Sequence, residues 1–159
     1  MTMTSQTEDL LTFTADGALY AVAVNRVQEI LDLQPLAPLP SAPPHVLGVT
    51  DLRGQNVPVV DLRRLLRLPD GENTPQTRFI VVWVDAPAGR FTLGLRTDRV
   101  IEVTRLDGDS LGTLEDGGVL GWSAKALAGI GRRNGQVVSL LDLDRLFSGL
   151  AEIEPAEAL

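Results

Sequence analysis

The chain has 159 residues, 44% apolar and 22% charged, a globular balance that excludes an intrinsically disordered polymer. It has no cysteine and one histidine, His45, which excludes disulfides, thiolate metal sites and histidine cages, and removes the usual acid–base catalyst. A net charge of −7 weighs against nucleic acid or an anionic membrane surface as the main partner.

Residues 1–10 are expected to be disordered, and they carry neither the basic region nor the apolar stretch of a secretory signal. Short segments rich in valine, leucine and isoleucine follow, punctuated by turn residues. Phe13–Thr14 and Tyr20–Val24 flank Ala15-Asp16-Gly17-Ala18, where Asp-Gly predicts a hairpin. Val27–Leu33 reads as a strand, and the prolines from Pro40 to Pro44 impose an extended connector after it. Gly48–Leu52 and Asn56–Val60 bracket Arg53-Gly54-Gln55, a second hairpin signal. Pro58 cannot donate to a ladder, so its strand is expected at an edge or a bulge.

Asp61 is placed to cap a short helix over residues 61–67 that stops at Pro69. Residues 70–76 form a loop. Strands are predicted at Phe79–Val84, Phe91–Arg96 and Val100–Thr104, with a glycine-rich loop from Asp107 to Gly121. Val137–Leu141 closes the series, before a short helix over 142–147 and an acidic tail over 151–159. No apolar run is longer than Phe79–Val84, far short of a membrane span, and the reading is a soluble cytoplasmic protein without direct membrane insertion.

An internal repeat organises these segments. A shift of 81 positions lays Gly48-Val49, Gly54-Gln55, Asp61-Leu62 and Arg64-Leu65 on Gly129-Ile130, Gly135-Gln136, Asp142-Leu143 and Arg145-Leu146. A shift of 73 lays Arg26-Val27-Gln28-Glu29-Ile30 on Arg99-Val100-Ile101-Glu102-Val103. Similar strings imply similar local structure: strand, connector, hairpin and short helix, twice. The expected fold is all-β, two related small barrels packed together with a short helix after each repeat. Within a domain over 11–150, barrel one is expected mainly at 15–76 and barrel two mainly at 77–150, with strand exchange between them allowed for.

The residues do not assemble a catalytic set. His45 stands beside a proline connector rather than in a nucleophile–base–orienter arrangement. Asp142-Leu143-Asp144 has the look of a metal clip, but its repeat counterpart is Asp61-Leu62-Arg63, which makes Asp142 a helix cap; no metal and no cofactor are expected. Aromatic residues are only 4% of the chain, which disfavours a sugar cleft despite the many carboxylates. Gly112, Gly117, Gly118 and Gly121 lack the lysine and spacing of a phosphate loop. What remains is surface recognition. Arg53 stands at a hairpin tip, either exposed or paired locally with Asp51 or Asp61, and Val27 and Glu29 share a strand face by period two.

At these residues the sequence resembles the CheW family of chemotaxis adaptors, from about Leu11 to Leu150. The resemblance rests on Arg26-Val27-Gln28-Glu29-Ile30, Pro40 through Pro44, Gly48-Val49-Thr50-Asp51-Leu52-Arg53-Gly54 and Val57-Pro58-Val59-Val60-Asp61-Leu62-Arg63. It continues through Leu93-Gly94-Leu95, Asp98-Arg99-Val100 and Gly129-Ile130-Gly131. It implies two five-stranded SH3-like β-barrels with a hydrophobic seam, no catalysis, and two partners: the regulatory domain of a CheA-type histidine kinase and the cytoplasmic tip of methyl-accepting chemoreceptors. Val27, Glu29, Gly48, Arg53 and Val57 would then face the receptor, with no residue assigned to the kinase contact. Asp51 stands where the family often has asparagine, which implies partial neutralisation of Arg53 by its neighbour. A CheW-like adaptor of a pathway for twitching motility or gene expression is the alternative, with a small ligand-binding β domain behind it.

Overall fold

The computed structural model describes residues 9–107 and 127–147. Among these residues there are ten strands: β1 (Leu10–Ala15), β2 (Ala18–Ala23), β3 (Val27–Leu31), β4 (Val46–Leu52), β5 (Gln55–Asp61), β6 (Arg78–Ala86), β7 (Gly89–Thr97), β8 (Arg99–Thr104), β9 (Leu127–Arg133) and β10 (Gln136–Leu141). Two short helices, α1 (Leu62–Leu65) and α2 (residues 143–147), follow β5 and β10. Asp61 caps α1 by accepting from the Arg63 N–H, and Asp142 plays the same part for α2 by accepting from the Arg145 N–H.

The strands form two five-stranded sheets, β3-β6-β7-β5-β4 and β8-β1-β2-β10-β9. The two orders are the same pattern. The strands of the internal repeat correspond one to one (β3 with β8, β4 with β9, β5 with β10), and the hairpin β6–β7 takes in the first sheet the place that β1–β2 takes in the second. Each hairpin enters by a parallel pairing, Val59–Asp61 against Gly94–Arg96 and Val138–Leu140 against Leu19–Ala21.

This pairing exchanges strands across the boundary expected near residue 76, the exchange that expectation allowed for. The first unit is Val27–Thr97, because β6 and β7 lie C-terminal to that boundary and are hydrogen-bonded to β3 and β5. The second unit is Arg99–Leu141 completed by the N-terminal hairpin. The chain passes between units twice, through a 3-10 turn at Val24–Arg26 and through Asp98. Disorder expected to residue 10 is corrected: Leu10 opens β1 and is fully buried. The glycine-rich loop beyond Asp107 and the acidic tail lie outside the described residues.

Alternation along the strands sorts the apolar residues into two faces. Val60, Ile80, Val82, Val84, Leu93 and Leu95 of the first unit pack with Leu11, Phe13, Val22, Leu141, Leu143 and Phe147 of the second in one shared cluster. On the other face of the second sheet, Leu10, Ala21, Leu106, Val138 and Leu140 form a smaller core. Val57, Val59, Phe79 and Val81 are buried on the corresponding face of the first. The seam between the units is thus closed by packing rather than left open.

Of the two expectations for Pro58, an edge or a bulge, the edge is corrected, since β5 is an interior strand, while the β4–β5 pairing does carry a bulge nearby, between Val46 and Gly48. Val49 directs both backbone groups outward, exchanging N–H···O bonds of 2.8 Å with Ala37 of the connector. The opposed pair Val49/Pro58 is therefore not hydrogen-bonded, and the missing Pro58 donor faces β7 one residue before pairing with β7 begins. The connector can lie this close because Gly48 sits at φ 152°, where a Cβ would stand 2.6 Å from the Ala37 carbonyl oxygen.

Candidate functional site

The β4–β5 hairpin closes with a two-residue turn, Arg53-Gly54, both at positive φ (52° and 85°). Gly54 adopts this without cost. Arg53 does not, and the other two turns of this kind place Asp16 and Asn134 at the same position. Asn134 is the repeat counterpart of Arg53, so this chain holds an arginine in a strained conformation where its own second half uses an ordinary turn residue.

Arg53 is spent on the surface. Its side chain is 72% exposed and pairs with Glu29 on β3, Nη2 to Oε1 at 2.5 Å and Nη1 to Oε2 at 3.3 Å. Asp51 is not its partner, contrary to the expectation above: the Asp51 carboxylate accepts from the Gly54 N–H at 2.8 Å and so pins the turn. Asp61 is also excluded, because it is buried against Arg96 and α1. The Arg53 guanidinium, by hydrogen bond and then by charge, holds the Glu29 carboxyl below the usual carboxylate range.

β3 and β4 are the two edges of the first sheet, so Glu29 and Arg53 tie the sheet edge to edge. A bulge at Gln28 sets Val27 opposite Val82 and Glu29 opposite Val81. Val82 faces the shared core and Val81 the other side, so Val27 and Glu29 do not share a face. Val27 packs against the shared core while Glu29 turns toward the hairpin tip. Ile30 is exposed beside Glu29, and among the described residues no other strand pairs with the outer edge of β3.

Gly48 and Val57 are placed differently from the resemblance's implication. Gly48 is buried and supports the connector through its backbone. Val57 is 1% exposed and offers no side chain to a partner. Its outward neighbours Asn56 and Pro58 instead line a groove of about 600 Å³ with His45, Val46, Phe91 and Phe147. Gln55, next to the Arg53-Gly54 turn, is on the same groove. This groove is the feature that sequence reasoning missed. Its only signal was the strand alternation that buries Val57 and Val59 and turns Asn56 and Pro58 out.

Nothing in this arrangement poises a nucleophile. The ion pairs hold structure: Asp144 is taken by Arg26 and Asp142 by α2, so the Asp-Leu-Asp motif is used within the fold. The site offers one directional charged pair, a groove lined by both polar and apolar residues, and a strand edge without a partner among the described residues, which together suit a protein surface.

A family model described as the CheW-like domain matches residues 9–151. The chemotaxis protein CheW of Bacillus subtilis is 39% identical over 75 residues, 47% of this chain and 48% of that protein. CheW of Treponema pallidum is 24% identical over 148 residues, 93% of this chain and 86% of that protein. Among solved structures, the scaffolding protein TtCheW of Thermoanaerobacter tengcongensis superposes with a TM-score of 0.75 at 23% identity, covering 88% of this chain and 92% of that one. The likeness establishes two SH3-like barrels as the fold.

Proposed function

The chain belongs to the CheW-like domain family of scaffold and adaptor proteins, and on that premise we propose that it is a non-catalytic chemotaxis adaptor in the cytoplasm. In this reading it couples a CheA-type histidine kinase, through the kinase's regulatory domain, to the cytoplasmic tips of methyl-accepting chemoreceptors. The observation that carries the receptor half is Arg53, kept exposed and strained at a hairpin tip whose next residue, Gln55, lines a groove of mixed polar and apolar residues. A receptor tip is helical, and a helix docks by laying apolar side chains in a groove while a charged pair fixes its register. The groove of Val46, Pro58 and Phe91 accepts the apolar side chains. Arg53, released from Glu29 or shared with it, supplies a bidentate donor to a receptor carboxylate or amide.

Val27 and Gly48 act from behind this surface, one holding β3 to the core and the other holding the connector against β4. Each contact is small, near or below ~800 Å² per partner, and an array gains strength from effective concentration rather than from any one interface. The reading is tested by pull-down of the chain on a receptor tip, with and without Arg53→Ala. Loss of capture with an unchanged melting temperature supports it; equal capture by the variant removes Arg53 from the site.

A further inference from the structure

We propose that the angle between the two units is held by a pair of charge-inverted clamps, one at each crossover, and that the clamp at Arg26 is the catch that opens about the other as pivot. The repeat relates their helix residues, since Arg63 of α1 and Asp144 of α2 are counterparts at a shift of 81. At the crossovers the two clamps use neighbouring positions: at a shift of 73 Asp98 matches Asn25, and Arg26 matches Arg99. At the first crossover, Arg26 bonds Asp144 through two N–H···O contacts of 2.8 and 2.7 Å, and Asp144 also accepts from the Asp85 N–H at 2.9 Å. At the second, Arg63 bonds Asp98 at 3.0 and 2.7 Å, and Asp98 accepts from the Asp16 N–H at 2.8 Å. Each clamp thus joins a crossover residue, a helix residue and an amide near the tip of a hairpin. The crossover supplies the cation in one and the anion in the other.

Inversion has a consequence for pairing. Exchange of the two helices between the clamps would oppose Arg26 to Arg63 and Asp98 to Asp144, so only the observed assembly is attractive at both sites.

The clamps are unequal. Arg63 and Asp98 are 16% and 22% exposed, and Arg63 is held further by the Pro69 carbonyl and by Asp16. Arg26 and Asp144 are 23% and 35% exposed, and a cavity of about 230 Å³ lined by Leu10, Ala128 and Leu143 lies alongside them. Beyond Asp144, Arg26 touches only Trp83 among the described residues, through its ring at 4.4 Å and its carbonyl at 3.4 Å, and that ring also meets Arg90 at 3.6 Å while its Nε1–H donates to the Asn25 carbonyl. Water reaches the Arg26 clamp more readily, so it yields first. The device stands on the fold alone; the adaptor reading adds only that a partner gripping both units would sense the angle.

The chain has no cysteine, so Gln55→Cys with Gln136→Cys, exposed counterparts in the two units, gives a clean spin-label pair. The expected result is one narrow distance in the parent and a distribution at least twofold broader with Asp144→Asn. Asp98→Asn should broaden it less, and the swap of Arg26→Asp with Asp144→Arg should narrow it again only in part, because it restores the ion pair but not the Asp85 N–H and Trp83 contacts. An unchanged width in folded Asp144→Asn, or equal broadening by Asp98→Asn, overturns the proposal. Amide exchange in the unsubstituted protein gives a reading that does not depend on any variant folding. The Asp85 N–H should exchange severalfold faster than the Asp16 N–H, and the reverse order contradicts the assignment of catch and pivot. Since neither readout is receptor capture, failure here leaves the adaptor reading standing.

Discussion

Glu29 and Arg53 meet across the open side of the first sheet, joining its two edge strands by a paired N–H···O contact. The second sheet repeats the device: Glu102, the counterpart of Glu29, lies 3.5 Å from Arg133 at the end of β9. In the second unit the cation has moved off the turn, and Asn134 takes the strained position. That difference between otherwise matching halves supports the proposal that Arg53 serves recognition rather than stability.

Arg53→Asn tests the assignment more sharply than truncation does. Asparagine tolerates the left-handed conformation, so relief of strain offsets the loss of an exposed ion pair. The variant should melt within ~2 °C of the parent or above it, and bind a receptor tip about tenfold more weakly or worse. Thermal melting and titration on the same preparations check both. A drop in melting temperature without loss of binding would make Arg53 structural.

The fold class and its twofold construction were legible because the turn and cap residues that build a hairpin and a short helix (Gly54-Gln55 and Asp61-Leu62, with counterparts 81 positions on) recur without a gap. Strand β9 was legible only through that repeat: Leu127–Arg133 has two glycines and few large apolar residues, and Gly131 leaves its space to Leu106. The partition of strands was not legible, since β1–β2 and β6–β7 share a place in the fold without shared residues at matching offsets. Val57 was misplaced because a Val-Pro-Val-Val run does not reveal which of its faces is inside. The Glu29 partner was missed because 24 residues separate it from Arg53, and only closure of the sheet brings them together.

Gly48→Ala should destabilise the protein by about 1–3 kcal/mol, from positive φ and the clash with the Ala37 carbonyl together. Urea unfolding should show a lower midpoint at similar slope. Receptor binding per folded molecule should fall as well, because the connector loses its seat on β4.

Arg96 and Asp61 form a buried ion pair at 3.4 Å, with Asn73 and the Gly71 carbonyl taking other guanidinium donors. Arg96→Met leaves the Asp61 carboxylate short of its buried partner and should cost about 3 kcal/mol or more. Denaturant titration measures it; a neutral outcome would show that Arg64 and the Arg63 N–H suffice for Asp61.

Acid should loosen both clamps. The hydrogen bond from Arg26 holds the Asp144 carboxyl below its ordinary value against the opposing effect of burial, aided by the Asp85 N–H. Burial pushes Asp98 up, but the Arg63 and Asp16 hydrogen bonds and the Arg63 charge outweigh it, and the net direction is down. A carboxyl depressed on folding contributes stability that is complete above its unfolded pKa of about 3.9 and lost as pH falls through the folded value. Unfolding midpoints measured from about pH 5 down to about pH 2.5 should therefore fall less steeply in Asp144→Asn than in the parent. Parallel curves would exclude Asp144 from the acid response.

The central claim is that one molecule grips receptor and kinase together. Its direct measurement is co-sedimentation of the chain with a receptor tip and a kinase regulatory domain, each first shown to bind it alone. A single species containing all three, lost to the receptor but kept for the kinase in Arg53→Ala, is the predicted result. Displacement of one partner by the other would contradict it.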